Sequence, residues 1–161
     1  MRIAKAVAPS GVAYAIDIDQ KSLDKLRERA QTDNVSNIEI ILSEAADPKL
    51  PSGALDAVLI RNAYHEMVAH REILKAVMNG LKPGALFVVI EAMHDNLLDK
   101  SREQQVKEHV IAPGIVEGEL REAGFEIVDR DDAFTRFPQE RTIVGGFWMI
   151  RARRPMLLIA R

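Results

Sequence analysis

The sequence predicts a three-layer α/β domain, a mostly parallel sheet with helices on both faces. Three observations carry this. Short apolar runs alternate with amphipathic stretches along the chain, the pattern of strand–helix–strand units. The run Ala85-Leu86-Phe87-Val88-Val89-Ile90 is apolar without alternation, as a strand covered on both faces must be. The 161 residues, 47% hydrophobic and 29% charged, have the size and composition of one globular domain spanning residues 1–161.

The elements follow in order. Residues 1–8 read as the end of a helix, with Ile3 and Val7 four apart, stopped by Pro9-Ser10-Gly11. Residues 12–16 form a strand that ends at Asp17. Residues 22–30 form a helix with Leu23, Leu26 and Ala30 on one side. Residues 38–42 and 55–60 are the next two strands. A helix over 66–81 places Ile73, Leu74, Val77, Met78 and Leu81 at helical spacing. Lys82-Pro83-Gly84 turns the chain into the strand over 85–90. Residues 101–111 make a polar helix. Pro113 suits the first position of the next helix, and Gly124 the residue just past its end. Residues 125–128 are a strand. Residues 142–152 carry the last one, expected to run antiparallel at the sheet edge, with a bulge at Gly145-Gly146.

Composition excludes several classes. Without cysteine there is no disulfide, thiolate zinc site or Cys nucleophile. Lys and Arg number 22 against 24 Asp and Glu, a net charge of −2, so binding to nucleic acid through bulk charge is not expected. No apolar run approaches the roughly 18 residues of a membrane span. Met1-Arg2-Ile3-Ala4-Lys5 leads into no apolar segment of about 7–15 residues, so no secretion signal is expected and a cytoplasmic location is.

Sheets of this kind bind ligands at the carboxyl ends of their strands. The first strand ends in Ala15-Ile16-Asp17-Ile18-Asp19, where a carboxylate can accept both hydroxyls of a ribose; Asp17 or Asp19 capping the following helix is the structural alternative. The second ends in Ser43-Glu44-Ala45-Ala46-Asp47, an acceptor for an adenine amino group or a solvated acidic loop. The third ends in Arg61-Asn62-Ala63-Tyr64-His65-Glu66, polar and aromatic throughout. Here Asn62 as a helix cap and Tyr64 as a packing residue are the alternatives. His65, Glu66 and His70 do not make a zinc helix. That pattern needs histidines four apart, Ala69 occupies the place, and five residues of helix turn His70 about 140° away from His65. No metal site is expected, and His94 and His109 stand alone in the sequence. No Gly-x-Ser-x-Gly supports a nucleophile elbow.

Taken in order, these pieces resemble the S-adenosylmethionine-dependent methyltransferases of the seven-stranded, Rossmann-like class. "VAYAIDID" resembles that family's second strand with its acidic end. "SEAADPKLPSGALDAVLIRNAYHEM" resembles the adenine-side loop, the Leu-Pro turn and the fourth strand with its loop. "LKPGALFVVIEA" resembles the turn and fifth strand, and "LREAGFEIV" a late helix and strand. The resemblance implies S-adenosylmethionine as cofactor. It implies that Asp17 binds the ribose, Ile18 lies against the adenine, Glu44 and the Ala45 amide read the adenine edge, and Asn62 lines the floor beside the methionine part. Tyr64 and His65 would face the methyl group and the acceptor.

The family opens with a strand and a glycine-rich loop, and this sequence starts within the helix that follows them. None of its nine glycines opens a first strand. The expectation is a gap between the strands at 12–16 and 55–60, closed by their direct pairing or by a second copy of the chain, and weak cofactor binding. The function expected is methyl transfer to a small-molecule acceptor. His65 is the first candidate for a general base, because imidazole titrates near neutrality, and Tyr64 the second. The rivals are a non-catalytic binding or oligomerising module of the same fold, and a nicotinamide-dependent dehydrogenase.

Overall fold

The computed structural model describes residues 1–136 and 145–156. They form two compact units, Met1–Lys49 and Leu50–Arg161.

The first unit contains α1 (Arg2–Val7), β1 (Ala13–Asp17), α2 (Gln20–Thr32) and β2 (Ile38–Leu42). β1 and β2 pair in parallel, from Ala13 opposite Ile38 to Asp17 opposite Leu42. The helix between them begins two residues earlier than the periodicity suggests, because Asp19 caps it. The Asp19 side chain accepts from the backbone N–H of Lys21 and Ser22, both at 3.1 Å. Leu23 and Ala30 of α2 are buried, as their spacing requires. The Asn37 side-chain amide donates to the carbonyls of Ala4 at 2.7 Å and Gly11 at 2.9 Å, tying α1 to the start of β1.

The second unit contains β3 (Leu55–Arg61), α3 (His70–Gly80), β4 (Leu81–His94), α4 (Arg102–Lys107), α5 (Pro113–Glu122), β5 (Glu126–Arg136) and β6 (Gly145–Arg153). Its sheet runs in the order β3-β4-β6-β5. β3 lies parallel to β4, and β6 runs antiparallel to both β4 and β5. The expected antiparallel strand is therefore present, but it sits inside the sheet and not at its edge, because β5 takes the outer position. Residues 142–144 of that expected strand lie outside the described residues. Phe87 and Val89 of β4, Trp148, Ile150 and Ala152 of β6, and Val116 and Leu120 of α5 are almost wholly buried and form the core. The Trp148 indole N–H donates to the Ile111 carbonyl at 2.8 Å, so the largest core side chain leaves no polar atom unpaired.

Three local expectations shift. Gly145 and Gly146 make no bulge: they pair in register with His94 and Met93. The irregularities fall in β5, between Ile127 and Asp129 and between Asp131 and Thr135. Glycine stands there because a Cβ at Gly145 would strike the Met93 carbonyl oxygen and one at Gly146 that of Thr135. The helix expected from residue 66 begins only at His70, after a single 3-10 turn over Tyr64–Glu66. The polar helix ends at Lys107 rather than 111, since His109 adopts a left-handed φ of 54°.

No β1–β3 ladder exists among the described residues. β1 pairs with β2 in the first unit and β3 with β4 in the second, each in parallel. No helix of the described residues is long and apolar enough to cross a membrane.

Candidate active site

The residues singled out in the sequence divide between the two units. In the first, Asp17 closes β1 and is exposed. It does not cap α2, a role that belongs to Asp19. Its Oδ1 accepts the backbone N–H of Asp19 at 2.9 Å, which fixes the carboxylate at the strand end. Ile18 beside it is 64% exposed. A bare apolar side chain next to a held carboxylate suits the flat face and hydroxyl pair of a nucleoside, so these residues fit the cofactor that the resemblance implies. Glu44 and Asp47 close a tight turn, each backbone N–H donating to the other's carbonyl at 2.9 and 3.2 Å. Ala45 lies within this turn. The Glu44 carboxylate meets Lys49 Nζ at 3.0 Å.

In the second unit the loop after β3 is organised by a residue that the sequence reading passed over. Glu91 lies in β4 and is fully buried. Its Oε1 accepts the backbone N–H of Ala63 and of Tyr64, both at 2.6 Å, and its Oε2 meets His65 Nδ1 at 2.8 Å. This accounts for the late start of α3: the chain after β3 is first drawn down onto Glu91 and can turn into helix only beyond it. Asn62, at the head of the loop, is exposed, has a φ of 51°, and donates its backbone N–H to the Ile90 carbonyl at 2.8 Å. It does not cap α3, whose N-cap position is Ala69.

His65 is 3% exposed. In the neutral ring, with Nδ1–H given to Glu91, the lone pair falls on Nε2, which faces Glu66 Oε1 at 3.8 Å. Tyr64 is fully buried, and its hydroxyl donates to Glu119 Oε2 at 2.8 Å. Burial, and then the Glu119 charge, push the Tyr64 phenol far above its ordinary pKa. Its proton is held in place and is hard to remove. Glu119 of α5 is a hub: its Oε1 also accepts from Arg102 Nε at 2.7 Å and lies 3.5 Å from His70 Nε2. His70 therefore belongs to this second cluster and not with His65.

Glu91, Glu119 and Arg102 were missed as functional residues. Glu91 had a signal: it is a carboxylate at the end of an apolar run, and a charge carried into a sheet needs partners. Glu119 and Arg102 had none, for they occupy ordinary positions on amphipathic helices. His109, alone in the sequence, is brought edge-on to His65, with ring centroids 5.9 Å apart at 83°.

Comparison with known proteins follows this layout. A family model described as a methyltransferase domain matches residues 2–89. The chain is 25% identical over 96 residues to a demethylmenaquinone methyltransferase of Geobacillus sp. (strain WCH70), covering 60% of this chain and 41% of that protein. It is 26% identical over 95 residues to the demethylmenaquinone methyltransferase of Lactococcus lactis subsp. lactis (strain IL1403), covering 59% and 38%. The chain thus spans about two fifths of the length of these curated relatives. Among solved structures, a SAM-dependent methyltransferase from Aquifex aeolicus superimposes with a TM-score of 0.76 at 22% identity, covering 94% of this chain and 73% of that one.

Proposed function

This chain belongs to the methyltransferase-domain family, and from that premise we propose that it moves a methyl group from S-adenosylmethionine to a small-molecule acceptor, with His65 as general base. The observation that carries this reading is the buried Glu91–His65 pair at the carboxyl end of β3. When bound, S-adenosylmethionine supplies a methyl group on a sulfonium, and the reaction leaves S-adenosylhomocysteine.

The chain's own residues bind, orient and take a proton. Asp17 accepts the two ribose hydroxyls, Ile18 covers one face of the adenine, and Glu44 with the Ala45 amide reads its edge. Asn62 lines the methionine side. His65 accepts the acceptor's proton at Nε2 while Glu91 holds Nδ1–H, keeps the ring in one tautomer and stabilises the imidazolium that forms. Tyr64 is a positioning residue here: it pins the loop to α5 through Glu119 and takes no proton. An acceptor that carries a proton on its nucleophile fits such a base. The curated relatives are named for a quinone, demethylmenaquinone.

Titration with S-adenosylhomocysteine tests the binding half. Asp17→Ala leaves two hydroxyls without their acceptor, about 1–3 kcal/mol, or roughly five- to 150-fold in affinity. No binding by the parent chain, or an unchanged Asp17→Ala, removes the assignment. Release of S-adenosylhomocysteine with a panel of phenolic and quinol acceptors tests the transfer. His65→Gln is expected to slow it by about 10²-fold or more.

A further inference from the structure

A histidine that helical spacing sets aside returns through the fold. His65 and His70 cannot share a ligand from one helix face, and the structure gives His70 to Glu119 instead. The place beside His65 is taken by His109, which follows α4 and holds a left-handed backbone, a conformation few non-glycine residues adopt. Glu66, the next residue after His65, brings a carboxylate to the same point. One ligand atom from each of His65, Glu66 and His109 lies within 4.8 Å of the others.

We propose that His65, Glu66 and His109 form a binding site for a divalent transition metal ion of the zinc class. Two imidazoles and one carboxylate are the donor set that zinc, cobalt and nickel share, and three protein ligands leave a coordination position open. The second observation is Glu91. A ligating histidine commonly gives its other ring N–H to a carboxylate, which fixes the tautomer and raises the basicity of the ligating nitrogen. Glu91 does this for His65, from a fully buried position and with its second oxygen held by two backbone amides. The lone pair on His65 Nε2 is thereby presented toward Glu66. Ligand atoms around a tetrahedral ion at about 2.0–2.1 Å sit roughly 3.4 Å apart. Glu66 and His109 are both exposed, so side-chain rotation alone brings them in, while the buried His65 stays fixed.

The site uses the same Nε2 lone pair that the proposed function gives to the base. A lone pair holds a proton or an ion, never both, so an occupied site silences proton transfer. That consequence rests on the proposed function; the site itself does not.

The test is titration of the whole chain with cobalt(II), read by its visible absorption, followed by zinc in competition with a chromophoric chelator. One ion per chain is expected. His109→Asn, which keeps a residue tolerant of positive φ, and Glu66→Gln should each weaken binding at least about tenfold. Both positions are exposed, and thermal melts that match the parent would show that the fold persists. Less than one equivalent bound, or parent-like affinity in the double variant, overturns the site. Metal binding by a chain that shows no methyl transfer when metal-free would leave the site standing and remove the proposed function. Transfer activity that zinc does not inhibit, in a chain whose ion is lost with Glu66 and His109, leaves the site standing and removes His65 as the base.

Discussion

Replacing Glu91 by glutamine separates holding the loop from setting the ring. The two side chains have nearly the same shape, so the buried position stays filled. A glutamine oxygen can still accept the backbone N–H groups of Ala63 and Tyr64. Its NH₂ then occupies the place of Oε2 and meets His65 Nδ1 as a donor. Two donors cannot face each other, so the imidazole must move its proton to Nε2. Three charge-assisted bonds become neutral, each weaker by about 1 kcal/mol. Against this, the cost of burying a carboxylate, several kcal/mol, disappears. The net change in stability is expected to stay within about 2 kcal/mol. Proton acceptance at Nε2 is a different matter: the wrong tautomer lowers turnover by about 10²–10⁴-fold. The assay pairs a urea melt with nitrogen NMR of the His65 ring, which reports the protonated nitrogen directly. A variant that keeps its proton on Nδ1, or that turns over like the parent, would refute the reasoning. Collapse of the fold would show that Glu91 acts mainly as a loop anchor.

Two further outcomes are expected. Gln105 is fully buried, donates Nε2 to the carbonyls of Leu97, Leu98 and Lys100, and accepts the Ala112 N–H at 2.7 Å, so Gln105→Leu strands the buried Ala112 N–H and loses three part-buried bonds, and should cost about 1–3 kcal/mol in a denaturant melt. The carboxyls of Glu117, Asp129 and Asp132 are held below their ordinary values by hydrogen bonds from Arg121 and Arg130, from Arg151, and from Arg130 respectively. Depressed folded-state values mean that this stabilisation is complete above the ordinary carboxylate range near 4 and fades as the pH falls through the lowered values. Melting temperature should therefore drop on acidification below about pH 4, and less steeply in Glu117→Gln; a parallel fall in both proteins would exclude the Glu117 contribution.

Much of this was legible because periodicity is local. The apolar run at 85–90 announced a strand, and β4 is one, but the cover expected on both faces is not there: Phe87 and Val89 are buried while Leu86, between them and the turn, is 38% exposed. Pro113 and Gly124 bracketed α5 as their backbone preferences require. Asp17 could be placed at a strand end from its neighbours alone. What stayed hidden depends on pairs distant in sequence. The start of α3 is set by Glu91, 28 residues beyond the Ala63 amide that it holds. The roles of Tyr64 and His70 are set by Glu119, and that of His109 by where α4 stops. No window of the chain contains both members of these pairs. The position of β6 inside the sheet was hidden for the same reason: strand direction follows from the pattern of connections, but strand order does not.

That order has a consequence for how the protein is made. β6 is the last of the described strands to be synthesised, yet among the described residues β5 has no other sheet partner and β4 relies on β6 from Leu86 to His94. A growing chain can zip β3 to β4 early, but β5 must wait as a solitary ribbon until β6 leaves the ribosome and slides between its neighbours. Long-range pairing of this kind is slow, and waiting edges are where nascent chains adhere to one another. β6 acts as a keystone, and chains released before it is made should be found with chaperones or in aggregates rather than as smaller folded domains.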